Sequence, residues 1–183
     1  MNFVEPIRDA GTVKDIADYL KDKNEKYFVM YQIGIYSGLR ISDILRLKVR
    51  DVRGKDKIKI REKKTGKEKA FPINKALADV LEQYCAGKKD YEYLVPSDRA
   101  HNKAVSREYA YRVMHEAGEY FGLYNLGTHT LRKTFGYHFY IQTKDVVLLM
   151  RIFNHSSEAQ TLRYIGIEQT TIDDAMRKFK YVI

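Results

Sequence analysis

The chain has 183 residues, and its 33 Lys and Arg against 24 Asp and Glu give a net charge of +9. With 44% hydrophobic and 13% aromatic residues it is too apolar to be disordered. Its longest aliphatic run, Val146–Met150, falls far short of the about 20 residues a membrane helix needs. The first ten residues carry acids and a proline rather than an apolar signal core. The single cysteine, Cys85, excludes an internal disulfide and a cysteine-based metal cluster. A soluble, intracellular, basic protein is expected, one domain able to bury roughly 70% of its unfolded surface. Its charge points to a nucleic acid partner, a feature that ribosome-associated and Lys-rich surface proteins share.

In chain order, Thr12 followed by Asp15 reads as a helix start, with Val13, Ile16, Ala17 and Leu20 on one face. Asn24 caps a second helix whose Tyr27, Phe28, Tyr31 and Ile35 face a core, and Gly38 ends it in a left-handed turn. Leu39–Lys48 restarts as a short helix. The period then changes to two: Lys57–Arg61 and 67–73 form a hairpin around Gly66, and Val49–Val52 offers a third strand. Asn74 caps a helix bearing Leu77, Leu81 and Tyr84. Gly87–Lys103 is an internal connection. Four further helical stretches follow: Val105–Phe121, His129–Ile141 behind a Thr128 cap, Lys144–Phe153 ended by Asn154, and Ser156–Ile165. The stretch from Thr171 to Lys180, with Ile172, Ala175, Met176 and Phe179 on one face, closes the chain. The class is mainly α with one small antiparallel sheet. Tyr27, Tyr31, Tyr84, Tyr109 and Tyr120 are expected at the rim of the core with wet hydroxyls, and Cys85 inside it.

Five places carry residue types suited to chemistry. Arg40, in Gly38-Leu39-Arg40-Ile41-Ser42-Asp43, sits at a corner between helices, where it and the following helix start could hold an anion. Lys63, Lys64 and Lys67 surround the hairpin turn. His129 and Arg132, three apart at a helix start, share a face that suits an oxyanion. His155 follows a helix end, and Tyr164 comes nine residues later. Taken singly, each has an ordinary reading as a surface charge, a cap or a core-rim aromatic. The five histidines, His101, His115, His129, His138 and His155, show no metal-ligand spacing.

The order of these motifs resembles the catalytic domain of the tyrosine recombinase (phage integrase) family, over a stretch from about Thr12 to the C-terminus. The resemblance implies that fold and a site-specific recombinase or integrase that cuts and rejoins DNA through a 3′-phosphotyrosine. Tyr164 would be the nucleophile, Arg40 and Arg132 the clamp on the scissile phosphate, and His129 and His155 partners of the phosphate or of a moving proton. Lys64 would protonate the leaving 5′ oxygen, with Lys67 a weaker claimant, and Asp43 would support the first arginine. Neither a cofactor nor a metal is implied. The implied partners are double-stranded DNA, further copies of the chain assembled on it, and accessory DNA-bending proteins; the implied location is the cytoplasm, on the nucleoid when DNA is bound. No membrane partner is implied. A single catalytic domain over 1–183 is expected, without the separate N-terminal core-binding domain of larger members.

Phe153-Asn154 stands where the family typically has Leu-Gly, and Lys133 where an Arg or His often follows the second arginine. Neither departure is expected to touch a catalytic group. Arg40→Ala and Arg132→Ala are expected to slow the reaction severely and to leave thermal stability nearly unchanged. The closing stretch at 171–183 either docks on a neighbouring copy, as such segments often do in the family, or packs on its own chain. Three other activities share parts of this pattern: nicking and closing alone, as in type IB topoisomerases; a DNA-binding regulator that keeps the fold without recombining; and a basic RNA-binding module, for which no base-stacking motif is present.

Overall fold

The computed structural model describes residues 4–61, 66, 68–167 and 176–180. Among these are eight helices and one two-stranded sheet. Asp9 caps α1 (Ala10–Lys23), its carboxylate accepting from the Thr12 backbone N–H at 2.6 Å and the Thr12 hydroxyl at 2.8 Å. The helix therefore starts before the expected Thr12 cap, because a carboxylate two residues upstream of Gly11 is the better acceptor. Asn24 caps α2 (Glu25–Ser37), and Gly38 closes it with φ of 63°. The short α3 (Ile41–Ile44) follows directly, with Arg40 at its N-cap position.

Val49–Asp51 is a single 3-10 turn and not a third strand. Its backbone donors are drawn to the loop across from it, Val49 N–H to the Glu92 carbonyl (2.9 Å) and Arg50 N–H to that of Asp90 (3.1 Å). The Asp51 carboxylate meanwhile accepts from the Lys48 N–H at 2.8 Å. The strands β1 (Lys57–Arg61) and β2 (Glu68–Pro72) pair antiparallel with Ile58 opposite Phe71 and Ile60 opposite Lys69. Helices α4 (Lys75–Cys85) and α5 (Arg107–Tyr120) are capped by Asn74 and Ser106. Helix α6 (Thr128–Thr143) begins one residue before the expected start, at a Gly127 cap. Two shorter helices, α7 (Val146–Phe153) and α8 (Glu158–Tyr164), end the described fold, and Asn154 is left-handed between them. Of the expected closing helix, 171–175 lies outside the described residues, and Met176 and Phe179 are exposed.

Apolar side chains gather in two clusters. The larger joins α1–α6 and the inner face of the sheet through Ile16, Leu20, Met30, Ile33, Ile58, Leu77, Met114 and Leu131. The smaller holds Leu149, Phe153, Ile165 and Ile167. Helix α6 runs along the seam between them. Close contact there requires glycine: a Cβ on Gly34 would meet Leu131 at 2.7 Å, and one on Gly136 would meet Phe153 and Ile165 at 2.7 Å. Cys85 is buried as expected. Tyr31 and Tyr84 are buried too, but their hydroxyls donate to the Val13 and Leu94 carbonyls instead of facing water. Tyr120 lies outside the core, 70% exposed and stacked on Tyr19.

Candidate active site

Four of the singled-out residues meet at the seam, each delivered by a different segment. Arg132 comes from the second turn of α6 and is only 3% exposed. Its guanidinium donates to the Gly38 carbonyl at the end of α2 (2.5 Å) and to the Phe153 carbonyl at the end of α7 (3.0 Å). Both acceptors are last-turn or post-helical carbonyls that have no partner within their own helices. The guanidinium also lies 4.2 Å from the Phe153 ring centroid. Arg132 is thus held on two sides by backbone and on a third by an aromatic face.

His155 follows the left-handed turn at Asn154, and its Nδ1 lies 3.0 Å from the Thr161 hydroxyl. That hydroxyl donates to the carbonyl of Ser157, the residue that caps α8 (3.2 Å). With the Thr161 hydrogen so committed, Nδ1 carries the imidazole hydrogen and Nε2 presents a lone pair. Burial, then the charges of Arg132, Arg40 and Lys69, lower the His155 pKa to about 4, so the ring is neutral at neutral pH.

Tyr164, at the end of α8, has its ring 5.1 Å from that of His155 and 5.5 Å from that of Phe153, both edge-on. Burial pushes its phenol above the ordinary tyrosine range, while Arg132 and Arg40 pull the other way. The two guanidiniums therefore act on both groups: they disfavour a charged imidazole and favour a charged phenolate.

Arg40, half-buried at the α2–α3 corner, lies close enough for its charge to act on His155 and Tyr164. It also lines an open cleft of about 1030 Å³ together with Ser42, Arg46, Tyr93, Arg107 and His129. His129 sits exposed on the first turn of α6 and lines this cleft beside Arg40. Asp43 is buried in α3. Lys64 and Lys67 lie outside the described residues.

Both expected bystanders touch the site. Phe153 packs against Arg132, His155 and Tyr164 and gives its carbonyl to Arg132. The ammonium of Lys133 lies 5.1 Å from the centroid of the Tyr164 ring. The residue after a buried helical arginine can only be placed once its neighbours in the folded chain are known, and here its ammonium meets the last residue of α8. Sequence reading also passed over Lys69, on β2, which donates to the Ile152 carbonyl at 2.7 Å and so ties the hairpin to the end of α7. Its inward position, opposite Ile60, is the signal that a period-two count along the strand offers.

Comparison with known proteins bears on this arrangement. The model of the phage integrase family matches residues 9–170. A relative named "Probable integrase/recombinase YoeC", from Bacillus subtilis (strain 168), is 45% identical over 179 residues, 98% of each chain. The crystal structure of XerA recombinase shares the fold with a TM-score of 0.75 at 19% identity, over 97% of this chain and 67% of that one. XerH site-specific recombinase, bound to palindromic difH substrate in a post-cleavage complex, gives 0.72 at 17% identity, over 97% of this chain and 54% of that one. The chain spans nearly the whole of YoeC and little more than half of the XerH chain.

Proposed function

Because the chain belongs to the phage integrase family, the tyrosine recombinases, we propose that it cuts and rejoins double-stranded DNA with Tyr164 as nucleophile. The single observation that carries this reading is the convergence of Arg40, Arg132, His155 and Tyr164 from four segments, with both guanidiniums acting on the imidazole and the phenol.

The chemistry follows from the groups. Ionising a free phenol at pH 7 costs about 4 kcal/mol, and burial adds to that. Two guanidiniums offset part of the cost. The lone pair on His155 Nε2 can take the phenolic hydrogen as Oη attacks phosphorus. A scissile phosphodiester lying between the arginines brings a negative charge to the imidazole, which raises its pKa from the low value of the free protein and makes it a better base. In the transition state the non-bridging oxygens gain charge, and a donor aimed at such an oxygen is worth about 3 kcal/mol. The Oη–P bond forms as the bond from phosphorus to the 5′ oxygen breaks, and Lys64 returns a proton to that oxygen. Attack by a 5′ hydroxyl reverses each step, so the phosphotyrosine conserves the bond for rejoining.

His129, Arg46 and Arg107, on the cleft beside Arg40, suit the flanking backbone, and a net charge of +9 supports binding there. Exchange between two duplexes implies several copies assembled on DNA, in the cytoplasm on the nucleoid. The test is a DNA duplex nicked beside the cleavage position, so that the short 5′ leaving strand diffuses away. The unmodified protein should trap itself covalently on this substrate, and Tyr164→Phe should bind it equally well and trap none. Equal trapping by both would refute the assignment.

A further inference from the structure

Resting on the reading of Tyr164 as nucleophile, we propose that Lys133 is a positioning residue for that tyrosine, its ammonium bearing on the phenol ring and fixing the ring plane before DNA arrives. The ring has neighbours on three sides. Phe153 and His155 meet it edge-on, at interplanar angles of 77° and 74°. The Lys133 ammonium lies 5.1 Å from its centroid, within the range of cation–π attraction. A cation attracted to the ring quadrupole adds to these contacts a restraint on movement of the ring in its own plane, and so helps to keep Oη toward Arg132.

The surroundings of Lys133 are those of a held cation. The residue is 8% exposed on α6, directly after Arg132. The segment before α1 crosses α6 beside it: the Ile7 N–H donates to the Thr134 hydroxyl (3.0 Å), and His138 Nε2 meets the Ile7 carbonyl (2.9 Å). That segment brings Glu5 and Arg8, joined to each other at 2.9 Å. Arg8 also donates to the Gly166 carbonyl in the turn after Tyr164 (3.3 Å). Burial and Arg8 lower the pKa of the Lys133 ammonium, and Glu5 opposes them. A buried lysine kept against an aromatic ring, in the group that also holds Arg132, costs desolvation free energy that an apolar residue would not. The ring of Tyr164 is a use that sets against this cost.

The test compares Lys133→Met, which keeps the stem and removes the charge, with Lys133→Arg, which restores a cation. Covalent trapping on the nicked duplex gives the rate. The 19F resonance of 3-fluorotyrosine installed at position 164 alone reports the ring's surroundings without any reaction. Lys133→Met should slow trapping about tenfold and move the resonance, with a melting temperature close to that of the unmodified protein. Lys133→Arg should recover the rate to within about twofold and return the resonance. If Lys133→Met fails to fold, the same comparison passes to Lys133→Gln. Trapping by Lys133→Met at the unmodified rate, or equal defects in the Met and Arg variants, overturns the positioning role alone. No adduct from the unmodified protein refutes the recombinase reading and the positioning role with it.

Discussion

His155 is the residue whose protonation the fold controls most strongly, with a pKa lowered from an ordinary 6.5 to about 4. Between these values the unfolded chain binds a proton that the folded chain refuses. Stability should therefore rise with pH from about 4 to 6.5, and be lost as pH falls through that window. Denaturant unfolding at intervals from pH 4.5 to 7 checks this, and His155→Gln should flatten the slope. Arginine variants separate by burial. Arg132→Ala leaves the Gly38 and Phe153 carbonyls without their donor and should cost about 3 kcal/mol of stability as well as the reaction. Arg40→Ala, at a half-exposed corner, should abolish trapping at nearly unchanged melting temperature. From sequence the two arginines looked alike, because a motif gives no burial. The roles of Phe153 and Lys133 were illegible for a related reason: each acts through a helix that meets theirs only in the folded chain.

Elements were legible where their ends are written in local chemistry. Asn24 and Asn74 cap the helices that follow them, and Gly38 and Asn154 adopt the left-handed conformation that ends α2 and α7. The 3-10 turn at Val49–Asp51 was not legible, since bonds to Glu92 and Asp90 decide it. What the elements do for the site is set by how closely they approach. A methyl group on Gly136 would strike Phe153 and Ile165, prising α6 from α7 and from the turn after Tyr164. Gly136→Ala should cost about 1–3 kcal/mol and slow trapping. Gly54→Ala, at φ of 62° with open space around its Cβ, should cost about 1 kcal/mol and leave trapping unchanged. Melting curves and single-turnover trapping on the two variants give both quantities. Equal trapping rates in the two would show that the packing of α6 on α7 and on the turn after Tyr164 does not set the geometry of the site.

Across the whole molecule, the site lies where the two apolar clusters meet, and Arg132 holds a carbonyl from each side. The order of the motifs pointed to this meeting. The seam itself could not be read, because the hydrophobic pattern of α6 is continuous while its neighbours change along its length. Charge was legible from composition alone. At +9, DNA affinity should fall steeply with salt, by about 10³-fold between 50 and 200 mM if six phosphates are neutralised. Fluorescence anisotropy with a labelled duplex measures that slope, and a flat response would contradict an electrostatic mode of binding.

The identity of the atom joined to DNA tests the central claim most directly. Trapped adduct is digested with trypsin and nuclease, and the modified peptide is sequenced by mass spectrometry. A 3′-phosphonucleotide on Tyr164 is the expected result. The same modification on another side chain, or a 5′ linkage, would contradict it.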